Sequence, residues 1–129
     1  MTMIDSKDEH HAPRRILVVE DRLLIAEAIA DMLEDVGLAV VGPVANLEAA
    51  MALARDEHID AALLDVNLND IQTCFPVAEL LSERGVPIAF LTGYDSDNLF
   101  PAPYRSAPRL VKPFQAATLL EVVRKLLAA

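Results

Sequence analysis

Glu20 and Asp21, Asp65, Thr92 and Lys112 each stand at the end of a short apolar run: Ile16 to Val19, Ala61 to Leu64, Val86 to Leu91, and Leu110 to Val111. Three carboxylates a few ångströms apart repel one another and hold on to their protons unless a cation neutralises them. A hard divalent cation with oxygen ligands does this, and Mg²⁺ needs only a few protein carboxylates plus waters. A carboxylate beside such an ion can act as a nucleophile and form an acyl phosphate. The metal offsets the charge that develops during the transfer. Lys112 supplies a point charge for a phosphoryl oxygen, and the Thr92 hydroxyl can donate to another. Gly93 leaves the approach open. Taken singly, each residue also has an ordinary role. Asp21 could cap a helix, Glu20 could face water at a strand end, Asp65 could open a turn, Thr92 suits any strand, and Lys112 could be a surface cation.

Whether these groups meet depends on the elements that carry them. Arg15 to Glu20 reads as a buried strand. Arg22 to Val36 comes next as a helix, with Ile25, Ile29, Met32, Leu33 and Val36 at helical spacing and Gly37 as its stop. Leu38 to Val44 is a second strand, placed at an edge by Pro43. Asn46 caps an Ala-rich helix running to about Asp56. Ile59 to Leu64 is a third strand, 66–73 a polar loop, and Phe75 to Arg84 a helix ended by Gly85. Val86 to Leu91 is a fourth strand. Between it and a fifth, Arg109 to Lys112, lie Pro101, Pro103 and Pro108, so any helix there is short, over Asp95 to Phe100. Gln115 to Leu127 is the last helix. Strands alternating with helices predict an α/β chain with a parallel sheet covered on both faces. Five units predict a flavodoxin-like doubly wound fold, order 2-1-3-4-5, with a short or irregular fourth helix. Ligands of such sheets gather beyond the carboxyl ends of the strands, at the switch point between strands one and three. That edge is where the acids, Thr92 and Lys112 fall.

The chain of 129 residues has the size of one domain. Residues 1–13 read as a flexible polar tail carrying His10 and His11, and 14–129 as the domain. Eleven basic against 20 acidic residues, a net charge of −9, argue against nucleic acid and anionic membranes as partners. No apolar run approaches the ~18 residues of a membrane span, and the start of the chain has no apolar signal segment. The expectation is a cytoplasmic protein. Cys74 is the single cysteine, which excludes an internal disulfide and reads as a small semi-buried filler. His58 reads as a surface residue.

Together, Glu20-Asp21, Asp65 within Leu-Leu-Asp-Val-Asn, Thr92-Gly93 and Lys112-Pro113-Phe114 resemble the receiver domain of bacterial two-component response regulators, over about residues 14–129. The resemblance implies that Asp65 accepts a phosphoryl group from a sensor histidine kinase or a histidine phosphotransfer protein. It implies Mg²⁺ held by Glu20, Asp21, Asp65 and the backbone carbonyl of Asn67, with Thr92, Gly93 and Lys112 around the phosphoryl group and a cis peptide before Pro113. It further implies a signalling domain rather than a turnover enzyme. Since no output domain is attached, it would act through a separate target protein, with a homodimer left open. The alternatives are a phosphate sink or shuttle for a kinase, and a degenerate receiver that binds partners without phosphorylation. A flavodoxin-type binder would need a phosphate loop where Glu20-Asp21-Arg22 stands. A haloacid dehalogenase-like phosphatase would need an aspartate where Asn67 stands.

Two departures from the receiver pattern fall on the usual output face. Arg109 occupies the strand-five position of an aromatic that carries the signal outward. The proline-rich segment replaces the fourth helix. Phe90-Leu-Thr-Gly-Tyr94 partly resembles a subfamily marked by Phe-Ala-Thr-Gly-x-Tyr, which also lacks that aromatic. Tyr94 and Arg109 are therefore the candidate replacement switch residues.

Overall fold

Stretches with no polar face can be strands only where both sides are covered, and three stretches of this chain are of that kind. In a computed structural model, which describes residues 12–68, 72–93 and 100–128, these are β1 (Arg15–Val19), β3 (Ala61–Asp65) and β4 (Ile88–Thr92). β3 and β4 are buried at every position and β1 at all but Arg15. β2 (Ala39–Val44) and β5 (Arg109–Val111) flank them, partly exposed. All pairings are parallel, in the order β2-β1-β3-β4-β5.

Alternate strand residues face opposite layers. Ile16, Val18, Leu63, Ala89 and Leu91 pack under α1 (Leu23–Asp35) and α4 (Ala116–Ala128), which contribute Ile29, Leu33, Leu119, Val123 and Leu126. Leu17, Val19, Leu64 and Phe90 pack under α2 (Leu47–Asp56) and α3 (Phe75–Glu83). Asn46 caps α2 as expected, its Oδ1 accepting from the Ala49 amide at 2.8 Å. Among the described residues no helix is long and apolar enough to cross a membrane.

The short helix expected over Asp95 to Phe100 lies outside the described residues except at Phe100, which is not helical. Beyond it the chain makes a single 3-10 turn, Ala102–Tyr104, started by Pro101. At the opposite, amino-terminal edge of the sheet, the Arg15 amide donates to Asp60 (2.7 Å) and its guanidinium to Glu57 (2.7 Å) and to the His58 carbonyl (2.8 Å). His58 itself is on the surface, 3.1 Å from Asp60.

β2 carries a feature that bears on the site. Its pairing with β1 shifts between Leu17 and Val19, where three positions of β2 span two of β1. Gly42 fills the bulge with φ +95°, and a Cβ there would come within 2.9 Å of the Val44 nitrogen and 3.1 Å of the Val18 oxygen. The Gly42–Pro43 peptide is cis. The bulge delivers the Val44 carbonyl to the Glu20 amide at 3.0 Å, so it fixes the chain where the site begins. Gly42→Ala should lower stability by about 1–3 kcal/mol through backbone strain. A urea midpoint unchanged from wild type would contradict this.

Candidate functional site

The carboxyl ends of β1, β3, β4 and β5 share one edge, so the residues at or just beyond them converge. Glu20 is 1% exposed. Its Oε1 accepts from the Arg22 amide at 3.1 Å. Arg22, not Asp21, holds the capping position of α1, and its own side chain makes no cap hydrogen bond. This corrects the helix-cap reading of Asp21. It leaves the Asp21 carboxylate exposed beside Glu20 and Asp65, where one ligand atom from each of the three lies within 4.8 Å of the others.

Glu20 Oε2 is buried and pairs with the Lys112 ammonium at 2.7 Å. The same ammonium lies 3.5 Å from Asp65 Oδ2. Lys112 thus bridges two acids whose charges would otherwise face each other unscreened. Compensation is incomplete. The Asp65 carboxyl is pushed up to about 8, first by burial and then by the charge of Glu20, with Lys112 pulling the other way. An acid held protonated near neutrality, among three carboxylates that share one ammonium, marks a shortage of positive charge. Glu20, Asp21 and Asp65 offer only hard oxygen donors, one of them exposed, and this set fits Mg²⁺ with part of its shell left to water.

Thr92 ends β4 and is buried. Its carbonyl accepts from the Lys112 amide at 2.7 Å, which ties the hydroxyl-bearing residue to the lysine. The Lys112–Pro113 peptide is cis. Gly93 is exposed, its φ is not positive, and a Cβ there would meet no atom within 4 Å. Asn67 is exposed just after β3 and bridged to Thr73, and the Leu68 amide donates to the Gln72 carbonyl at 3.1 Å. Tyr94 lies outside the described residues. Cys74 is fully buried rather than semi-buried, with its amide bonded to the Val66 carbonyl at 3.0 Å. Burial, and secondarily the charge of Asp65, push its thiol up, so it is an inert filler.

Arg109 pairs with Phe90 in the β4–β5 ladder. Its guanidinium lies over the Phe100 ring, 4.0 Å from the centroid, and donates to the Arg105 carbonyl at 2.8 Å. Phe100 is 1% exposed. It meets Phe90 edge-on at 5.1 Å and Phe75 at 5.7 Å, while Tyr104 stacks on Phe75 at 5.8 Å. Four of the chain's six aromatic residues (four Phe and two Tyr) form this cluster. Sequence reasoning missed it, because these four residues share no period.

A family model of the response regulator receiver domain matches residues 16–124. The solution structure of SdrG from Sphingomonas melonis is 40% identical, with 91% of this chain and 98% of that one covered at a TM-score of 0.78. The receiver domain of sensor histidine kinase PA1611 from Pseudomonas aeruginosa, with a magnesium ion coordinated in its active site cleft, is 26% identical over 92% of this chain and all of that one, TM-score 0.78. The transcriptional regulatory protein PdtaR of Mycobacterium tuberculosis is 30% identical over 86% of this chain. The phyllosphere-induced regulator PhyR of Methylorubrum extorquens is also 30% identical, over 87%. The chain spans about half the length of these two curated relatives, 55% and 43%. With its sheet order, its acidic edge and this match over most of its length, the chain belongs to the response regulator receiver family of two-component signalling.

Proposed function

We propose that Asp65 is the phosphoacceptor of this receiver and that its donor is a phosphohistidine on a sensor kinase or a histidine phosphotransfer protein. The observation that carries this reading is the position of Asp65. It is a strand-end carboxylate within 3.5 Å of Lys112, its ligand atom within 4.8 Å of those of Glu20 and Asp21. An Asp65 oxygen attacks phosphorus, the P–N bond of the phosphohistidine breaks, and the imidazole leaves with the bonding pair. Lys112, released from its pairing with Asp65, meets one phosphoryl oxygen, and the Thr92 hydroxyl donates to another. Glu20, Asp21, Asp65 and the Asn67 carbonyl would hold Mg²⁺, which supplies charge neutralisation for the incoming phosphoryl oxygens. The bound magnesium in the cleft of the PA1611 receiver supports that assignment. Gly93, exposed next to Thr92, would line the approach to the phosphoryl group.

A donor of this kind draws its phosphoryl group from ATP and so implies a cytoplasmic setting. The phosphorylated domain acts as a switch for a target protein rather than as a turnover enzyme. The test is incubation with acetyl phosphate and Mg²⁺, read by intact mass. Wild type should gain one phosphoryl group, whereas Asp65→Asn should gain none. An unmodified wild type, or an equally modified Asn variant, would overturn the assignment.

A further inference from the structure

Between α3 and the 3-10 turn at Ala102–Tyr104 runs an apolar groove of about 430 Å³, with Val86, Pro87, Ile88, Phe90, Tyr104 and Ala107 among its lining. It lies toward the amino edge of the sheet, away from the acidic cluster. Val86 and Pro87 precede β4, Ile88 begins it, and Ala107 comes two residues before β5. Val86 and Ile88 keep 8% and 9% of their surface exposed, the most of any residue in the apolar core. The chemistry proposed for Asp65 makes no use of this groove.

The described chain starts at the same edge, with Ala12 three residues before β1. β4 is two strands away from β1 in the sheet order, about 10 Å at the usual strand spacing. Residues 5–11 alone span up to roughly 23 Å when extended, so they reach the groove with slack and leave 1–4 to enter it. Met1, Met3 and Ile4 are the apolar side chains of residues 1–11, and methionine adapts to irregular apolar gaps. Asp5, Asp8 and Glu9 follow them, against the single Lys7. An arginine stands near the groove on either side. Arg84, two residues before Val86, donates to the carbonyls of Ala54 and of Glu57, the latter at 3.0 Å. Arg105, next to Tyr104, donates to the Phe100 carbonyl at 3.2 Å. Among the described residues neither forms an ion pair, whereas Glu57 and Asp60 at this edge already pair with Arg15 and Arg14. An apolar end on an acidic stem therefore matches the groove and its two arginines. A tether of this length holds the two at an effective concentration of order millimolar, so a contact too weak for a free peptide is well populated.

We propose that this groove is the docking site of the chain's own amino-terminal segment, with Met1, Met3 and Ile4 seated between α3 and the 3-10 turn and the acids behind them running past Arg84 and Arg105. Docking removes the apolar side chains of both partners from water. It is independent of the reading of Asp65 as phosphoacceptor, because no residue of the acidic edge takes part.

Paramagnetic relaxation on the full chain tests this. Ser6→Cys places a nitroxide just behind the apolar end, while Cys74, buried and with its thiol pushed up, stays unlabelled. Docking should enhance relaxation at the Ile88, Tyr104 and Ala107 amides at least roughly threefold over the Ala39 and Val40 amides, given a well-populated tethered contact. An undocked segment gives the reverse, since Ala39 pairs with Arg15 in the strand next to the root of the segment. Adding Met3→Ser and Ile4→Ser removes the apolar end without touching the folded domain and should abolish the contrast. Ala107→Glu, which sets an acid against the acidic stem, should do the same from the groove side. An even or reversed pattern in the labelled protein, or a contrast that survives Met3→Ser with Ile4→Ser, overturns the proposal and leaves the groove to a separate partner. Relaxation at Ala107 of an isotope-labelled chain caused by a spin-labelled second copy also overturns it, and would make the groove an interface between chains.

Discussion

Asp65→Asn should make the metal-free protein more stable at pH 8 than wild type, although it removes the proposed reactive group. The Asp65 carboxyl is pushed up to about 8 by burial and by Glu20. A carboxyl whose folded value lies above its unfolded value favours folding when protonated. That contribution is complete below pH 4 and is lost as pH rises from there through about 8. Asn mimics the protonated acid at every pH. The two proteins should thus melt alike below about pH 4 and diverge upward, with wild type falling behind by on the order of 3 kcal/mol at pH 8, or roughly 10 °C in Tm for a domain of this size. Mg²⁺ should close the gap by stabilising ionised wild type. Thermal melts in chelator across this range check the point. Parallel pH profiles for the two proteins would show that the carboxyl is ionised and comfortable in the folded state, and would remove the charge-shortage argument from the site.

That shortage was partly legible in the sequence. Glu20, Asp21 and Asp65 come after apolar runs that can only be interior parallel strands, and strand ends in a doubly wound sheet share an edge, so their convergence is a consequence of topology. The edge position of β2 was legible for a similar reason, because Pro43 has no amide to give to a central ladder. Choices made by tertiary packing were not legible. Asp21 has the chemistry of a helix cap, yet the Glu20 carboxylate takes the Arg22 amide, because a buried acid gains more from a donor than an exposed one does. Phe75, Phe90, Phe100 and Tyr104 have no common period, so no sequence pattern groups them. Phe75 and Phe90 meet through the packing of α3 on β4, and Phe100 and Tyr104 join them from the chain before β5. Arg109 has the chemistry to face a partner or a surface acid, and instead covers Phe100.

The resting partner of Lys112 was illegible too, and it leads to the other large effect. Its place at the end of β5 suggests a cation waiting for a phosphoryl group. In the structure its ammonium sits 2.7 Å from Glu20 and 3.5 Å from Asp65, so it neutralises the two acids that a metal would also neutralise. Lysine and metal must then compete. Replacing Lys112 by Met keeps most of the buried stem and deletes the charge. In the metal-free protein this leaves Glu20, fully buried, without its counter-ion, a change that typically costs about 3–5 kcal/mol, so the variant should melt well below wild type in chelator. Added Mg²⁺ should rescue it more strongly than it rescues wild type, because the ion no longer displaces an ammonium. At an effective dielectric near 20, unit charges about 4 Å apart interact by ~4 kcal/mol, and even a fraction of that raises Mg²⁺ affinity by roughly tenfold. Acetyl phosphate labelling should fall in the same variant, since a phosphoryl oxygen loses its cation while the metal is bound better than before. Titration calorimetry with Mg²⁺ and intact-mass labelling separate these two effects. Mg²⁺ affinity equal to or below that of wild type would show that Lys112 supports the metal site rather than substituting for its ion.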